Sequence, residues 1–173
     1  MTKQGKTRLE RFISRVVGQR ACIDAASTAT QALRGVVWEV GLGNGRTYDH
    51  LRDRLAGRDI VVFDRQVASH PDCIPPTDMV RLGDFRETVT AEAMRSAGKV
   101  VVIHADVGSG NVDASRALGR WLTPLFVQAL APGGYLVGDQ PMDGPALESI
   151  ALDTVGAGDL PSDAYFIYRR RGL

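Results

Sequence analysis

Leu9, Phe12, Ile13, Val16 and Val17 recur at i, i+3, i+4, i+7 and i+8, with Arg8, Arg11 and Arg15 elsewhere on the wheel. That spacing predicts an amphipathic helix with a buried apolar face. Gly18 is expected to break or bend it. An alanine-rich second helix follows over about Gln19 to Leu33, ended by Gly35. From Val36 onward short apolar runs alternate with longer amphipathic ones. Strands are predicted at Val36–Val40, Asp59–Phe63, Met79–Leu82, Lys99–Asp106, Tyr135–Gly138 and Ala164–Arg170. Helices are predicted at 46–56, 85–97 and 111–130, the last ended by Ala131-Pro132-Gly133-Gly134. Pro71, Pro75 and Pro76 disfavour a full helix over 68–77. The stretch 146–155 fits either a helical face through Leu147, Ile150 and Ala151 or a strand face through Ile150 and Leu152.

The alternation predicts an α/β fold, a right-handed, doubly wound sandwich on a mostly parallel sheet. The α/β core would occupy residues 36–173 and an N-terminal helical extension residues 1–35, together one domain over 1–173. The run at 99–106 is apolar on both faces, as a central parallel strand would be. Folds of this kind bind ligands beyond the carboxyl ends of the strands, where strand order switches. Glu39–Gly45, Asp64, Asp84, Asp106 and Asp139 all stand at predicted strand ends.

Composition narrows the possibilities. A chain of 173 residues can bury one substantial core, but it is too short for a cofactor domain plus a separate substrate domain. The 21 basic and 20 acidic side chains balance to +1, which argues against a polyanion clamp or a polybasic membrane attachment. No apolar run approaches the length needed to span a bilayer. The basic side chains are 18 Arg against 3 Lys, for which genome codon bias is the simpler reading. Residues 1–20 carry six basic side chains and one acid. They lack the apolar core and small-residue cleavage site of a secretory signal, so they read as part of the mature protein. Cys22 and Cys73 match neither a metal spacing nor a disulfide framework, which points to free thiols in a reducing, cytoplasmic setting.

Glu39-Val-Gly41-Leu-Gly43-Asn-Gly45 is the most informative segment, lying between a predicted strand and a predicted helix. Its glycines permit positive φ and close approach of backbone to a ligand. A dinucleotide motif, G-x-G-x-x-G, wants a small third residue for helix–strand packing, and Arg46 stands there. No G-x-x-x-x-G-K-[ST] occurs, which excludes a P-loop. His104 in the buried strand reads first as a satisfied core histidine, with catalysis the alternative. His50, His70 and the Arg169–Arg171 terminus are expected to be solvated.

This ordered set resembles the class I S-adenosylmethionine-dependent methyltransferases over about residues 36–140. Glu39, Gly41, Gly43 and Gly45 match the family's acid-x-Gly-x-Gly-x-Gly motif, and Val61-Val62-Phe63-Asp64 supplies the acid at the end of the second strand. Asp64 follows Gly43 by 21 residues, close to the spacing that puts a carboxylate on ribose hydroxyls. Leu82-Gly83-Asp84-Phe85 looks like the segment near the adenine, Asp106 like the acid after the fourth strand, and Leu130–Gly134 like the turn before the fifth. The proline-rich loop after the second strand and the short C-terminal part depart from the family pattern.

The resemblance implies S-adenosyl-L-methionine as cofactor. Glu39, Gly41, Leu42, Gly43, Asn44, Gly45, Asp64, Arg65, Gly83, Asp84, Phe85 and Asp106 would bind it, Glu39 near the methionine amino group or the loop backbone. Asp106 is the leading catalytic candidate, with His104 behind it. Some small O-methyltransferases hold a divalent metal with an acid after strand four and an Asp-Asn pair after strand five. Asp106 and Asp139-Gln140 stand in similar places, but Gln lengthens the reach, so metal-independent transfer is expected. The Asn/Asp-Pro-Pro-aromatic tetrapeptide of amino-directed DNA methyltransferases is replaced by Asp106-Val-Gly-Ser. With no basic stripe, the implied acceptor is a small molecule, with no nucleic acid and no membrane as partner. The N-terminal helices would lid the pocket or join copies into a homo-oligomer. The rival readings are a non-catalytic cofactor-binding module or subunit of a complex, and an NAD(P)-binding oxidoreductase.

Overall fold

The computed structural model describes residues 6–172. Its centre is a seven-stranded sheet formed by β1 (Val36–Val40), β2 (Ile60–Asp64), β3 (Val80–Leu82), β4 (Val100–Ala105), β5 (Leu130–Gly138), β6 (Leu147–Ile150) and β7 (Phe166–Arg170). The spatial order is β3-β2-β1-β4-β5-β7-β6. β1 to β5 are mutually parallel, and β7 pairs antiparallel with both β5 and β6. The order reverses between β1 and β4, so the switch point lies where the glycine segment and Asp106 leave the sheet.

Period-2 alternation sorts the strand residues onto two cores. Trp38, Phe63 and Ile103 face α3 (Phe85–Arg95) and α4 (Val112–Ala129), with Trp38 edge-on to Phe63 at 5.0 Å between ring centres. Val37, Val62 and Val102 face the other layer, built from α1 (Arg8–Ala29) and α2 (Arg46–Arg54). Glu39 and His104 are paired in register on β1 and β4, and both are fully buried on the α1/α2 side of the sheet.

The N-terminal extension differs from the sequence expectation. It is one 22-residue helix rather than two, opened by a capping box between Thr7 and Glu10. Gly18 does not interrupt it. A Cβ there would stand 3.2 Å from Cβ of Tyr165 and 3.3 Å from Cδ1 of Leu160, so the missing side chain allows close helix packing. The buried face is also rotated from the expected one: Ser14, Gly18, Gln19, Cys22, Ile23, Ala26 and Ser27 are covered. Leu9, Phe12, Ile13, Val16 and Val17 remain 66%, 51%, 51%, 39% and 38% exposed. The first half of α1 therefore projects beyond the body with an uncovered apolar stripe.

Elsewhere the departures are local. Leu130 pairs with Val100 and Tyr135 with Val102, so Ala131–Gly134 bulges out of β5 instead of standing before it. The 146–155 stretch resolves into edge strand β6 followed by a 3-10 turn at Leu152–Val155. The proline-rich segment forms two short 3-10 turns, Pro71–Cys73 and Thr77–Met79, and no longer helix. Arg169 and Arg170 belong to β7, and the Arg170 guanidinium donates to the Leu130 carbonyl, so that part of the basic terminus is built into the sheet. Both cysteines are buried and unlinked, and burial pushes the Cys22 thiol up to about 12.

Candidate functional site

A cleft of about 930 Å³ opens over the carboxyl ends of β1, β2 and β4 and is walled by α1. Its floor is the loop from Gly41 to Asn44. Gly41 has φ +96°, and a Cβ there would collide with the Asp106 carbonyl oxygen at 2.3 Å, so the turn demands glycine. Gly43, at φ +51°, has nothing within 4 Å of its Cβ position and opens onto free space. Gly45 caps the start of α2 against Cys73.

Asp64 organises this loop. Its Oδ2 accepts from the Leu42 amide at 2.8 Å and the Gly43 amide at 3.2 Å. Its Oδ1 accepts from the amides of Arg65 at 2.6 Å and Gln66 at 3.5 Å. Asp84 has a different place. Its side chain caps α3 by accepting from the Arg86 amide at 2.8 Å, and that bond, helped by Arg65 at 3.3 Å, holds its carboxyl below the usual range. Phe85 lines the cleft, whereas Gly83 and Asp84 lie outside its lining.

Behind the cleft runs a continuous buried polar chain. Thr47, in the first turn of α2, donates its hydroxyl to Glu39 Oε1. Glu39 Oε2 accepts from His104 Nδ1 at 2.7 Å, and His104 Nε2 stands 2.7 Å from the Tyr165 hydroxyl. The Gln19 amide donates to that hydroxyl at 3.1 Å and to Asp106 Oδ2 at 3.2 Å. Arg15 reaches the same Asp106 oxygen at 2.9 Å. Burial opposes a charge on His104, but the Glu39 carboxylate, with Asp106 and Asp139 behind it, outweighs burial and raises the pKa. Burial pushes the Tyr165 phenol well above its usual value, so its hydroxyl keeps its proton. Glu39 and His104 thus stand beneath the cleft, Glu39 joined to it through Thr47 and His104 through Gln19.

Of the residues singled out from the sequence, the structure gathers Gly41, Leu42, Gly43, Asn44, Asp64, Arg65, Phe85 and Asp106 around one cavity. The Asp139 carboxylate accepts from the amides of Val107 at 3.0 Å and Gly108 at 2.9 Å, and from Gln140 at 3.1 Å. Burial, then the neighbouring Asp106, raises its pKa. Among the described residues no group of three His, Cys, Asp or Glu side chains is spaced to hold a metal ion. His50 is not simply solvated: it contacts Asp24 at 2.8 Å and lines the cleft, while His70 is exposed. Arg15, Gln19 and Tyr165 were not legible as site residues. The i, i+4 spacing of Arg15, Gln19 and Ile23 was the one available hint for the first two.

A loop shaped this way, beside a strand-end carboxylate at the switch point, is the arrangement the class I methyltransferase resemblance implies. Residues 6–170 match the family described as S-adenosyl-L-methionine methyltransferase. The chain belongs to that family. An S-adenosyl-L-methionine methyltransferase from Silicibacter pomeroyi DSS-3 is 43% identical, with a TM-score of 0.88 over 96% of this chain and 99% of that one. More distant structures share the fold. CmcI-N160 is 15% identical, with a TM-score of 0.55 over 90% of this chain and 71% of its own. A predicted O-methyltransferase from Agrobacterium tumefaciens is 12% identical, with a TM-score of 0.50 over 89% and 81%. No curated protein sequence is detectably similar. The methyltransferase uses S-adenosyl-L-methionine, and its sheet carries the order and the antiparallel last strand described above. The cleft suits that cofactor: its volume is at the upper end of the roughly 300–1,000 Å³ of small-molecule sites, and the Gly43 position opens into it.

Proposed function

We propose that this methyltransferase, acting as one domain, transfers the cofactor's methyl group to a small-molecule acceptor held in the cleft under α1. The observation that carries the reading is the single cavity bordered by Gly41–Asn44, Asp64, Phe85 and Asp106. In this reading the Asp64 carboxylate receives the ribose hydroxyls, Leu42, Asn44 and Arg65 flank the nucleoside, and Gly43 leaves room for it. Glu39 and Gly45 hold the loop and the start of α2 rather than touching the ligand. Asp84 and Gly83 set the position of Phe85 at the head of α3.

When bound, the cofactor supplies a methyl group made electrophilic by its sulfonium. The chain has to hold an acceptor atom in line with the sulfur–methyl bond and exclude water. Asp106 is the base for an acceptor that loses a proton, and it is placed by Arg15 and Gln19. His104 acts from behind, through Tyr165 and Gln19. Metal-independent transfer is favoured because a guanidinium occupies Asp106 Oδ2 and both Asp139 oxygens are engaged by amides. The balanced charge of the chain favours a small molecule over nucleic acid. Two buried thiols fit a reducing cytoplasm, and no described helix is long and apolar enough to cross a membrane.

Calorimetry tests the cofactor site, and turnover against candidate acceptors tests the reaction. S-adenosyl-L-methionine and S-adenosyl-L-homocysteine should bind and NAD should not, and turnover should survive chelator. Restoration of chelator-abolished turnover by Mg²⁺ would instead promote Asp106, Asp139 and Gln140 to metal ligands.

A further inference from the structure

Two neighbouring i, i+4 rows of α1 line the cleft. One consists of Phe12, Val16 and Arg20, the other of Arg15, Gln19 and Ile23. The first row runs from apolar Phe12 and Val16 to cationic Arg20, and the second from cationic Arg15 to apolar Ile23, so the two guanidinium-bearing residues sit side by side in the middle of an otherwise largely apolar wall. Leu118 of α4 adds a further apolar side chain to the lining.

The charges around the cavity do not balance. Its lining holds the guanidinium-bearing Arg15, Arg20, Arg46 and Arg65 but only two carboxylates, Asp64 and Asp106. Asp64 is taken up by four backbone amides and Asp106 by Arg15 and Gln19. Arg65 turns to Asp84 outside the cavity. Among the described residues, Arg20 and Arg46 make no ion pair, although both border the cleft. The cofactor worsens the imbalance: its sulfonium and ammonium outnumber its one carboxylate. That carboxylate can answer one of Arg20 and Arg46 and leaves the other without a partner. In a partly enclosed, low-dielectric cleft such an excess favours an anion.

Resting on the methyltransferase reading of this cleft, we infer that the acceptor is a small organic acid with an apolar body. Its carboxylate lies against Arg20, with Arg15 alongside, and its apolar part lies along Phe12 and Val16. Guanidinium is suited to this task because its planar fork matches a carboxylate in two parallel hydrogen bonds.

Calorimetry on the protein saturated with S-adenosyl-L-homocysteine, which lacks the sulfonium and so leaves the arginines as the source of any preference, tests the inference, with octanoate and 2-naphthoate each titrated against its neutral primary amide. At least one acid should bind ten-fold or more tightly than its amide. Arg20→Gln, a change at an exposed position, should reduce that preference to less than three-fold. Retained S-adenosyl-L-homocysteine affinity in the variant would show that its cleft is still folded. Equal binding of acid and amide, a preference unchanged by Arg20→Gln, or no acid binding at all overturns the inference while leaving the cofactor site intact. Failure of S-adenosyl-L-homocysteine itself to bind overturns the cofactor placement, and this inference with it.

Discussion

In the proposed pose Asp64 serves two purposes with one carboxylate. It already accepts from the Leu42 and Gly43 amides, and in that pose it also receives the ribose hydroxyls. Hydrogen bonds to a charged group are worth about 1.5–3 kcal/mol each, so losing one or, at the lower end of that range, two of them in Asp64→Ala should weaken S-adenosyl-L-methionine binding about ten- to a thousand-fold. The same variant should speed hydrogen exchange at Leu42 and Gly43, because those amides lose their acceptor; Asp64→Asn should do less of both. Intact affinity beside accelerated exchange would make Asp64 a loop anchor only. His104 makes a separate, pH-dependent contribution. It faces Glu39 on β1, Tyr165 before β7 and Gln19 on α1, with Asp106 and Asp139 beyond them, and its pKa is raised above 6.5. A histidine that binds its proton more tightly folded than unfolded contributes stability fully below the unfolded value. It loses that contribution as pH rises through the folded one. Thermal unfolding should therefore show Tm falling above pH 6.5, and His104→Gln should remove that slope. Asp64 and Asp106 were visible in the sequence because each ends an apolar strand, a local signal. Tyr165 and Gln19 were not, because they meet His104 and Asp106 only across 61 and 87 residues of chain.

At the scale of elements, the alternation of apolar runs was legible from Val36 onward because a buried parallel strand must be apolar on both faces. The N-terminal helix misled for an equally physical reason. Hydrophobic periodicity reports a face that prefers burial, and in α1 the stripe from Leu9 to Val17 stays exposed, with Phe12 and Val16 on the open cleft and Leu9, Ile13 and Val17 outside it. The helix is docked instead by small residues, Ser14, Gly18, Cys22 and Ala26, which let it approach the sheet closely. Gly18 tests that account. Alanine gains about 1 kcal/mol of helix propensity over glycine, but its Cβ would press on Tyr165 and Leu160 at 3.2 and 3.3 Å. Gly18→Ala should therefore be close to neutral, whereas Gly18→Leu should cost about 1–3 kcal/mol through overpacking. Denaturant titration of the pair measures both, and a stabilised Gly18→Leu would show that α1 is not seated on Tyr165.

For the whole molecule, what matters is what covers the outer side of α1. Phe12 and Val16 turn into the cleft, which leaves Leu9, Ile13 and Val17 as an apolar strip on the projecting half of the helix. Burying a Val, Leu or Ile fully is worth about 1.5–3 kcal/mol. The exposed fractions of these three amount to roughly one and a half side chains per copy, hence about 5–9 kcal/mol for two copies brought together. Association costs about 4–15 kcal/mol in lost freedom, so the strip alone supports at most a weak, concentration-dependent dimer. Sedimentation of the wild-type protein should accordingly show its mass rising between low and high micromolar concentration. Ile13→Lys with Val17→Lys should hold the mass at 18.7 kDa throughout, with S-adenosyl-L-methionine affinity unchanged because neither side chain lines the cleft. A wild-type chain that stays monomeric at high concentration would leave the strip uncovered by a second copy. A doubly substituted chain that still dimerises would place the interface on another face.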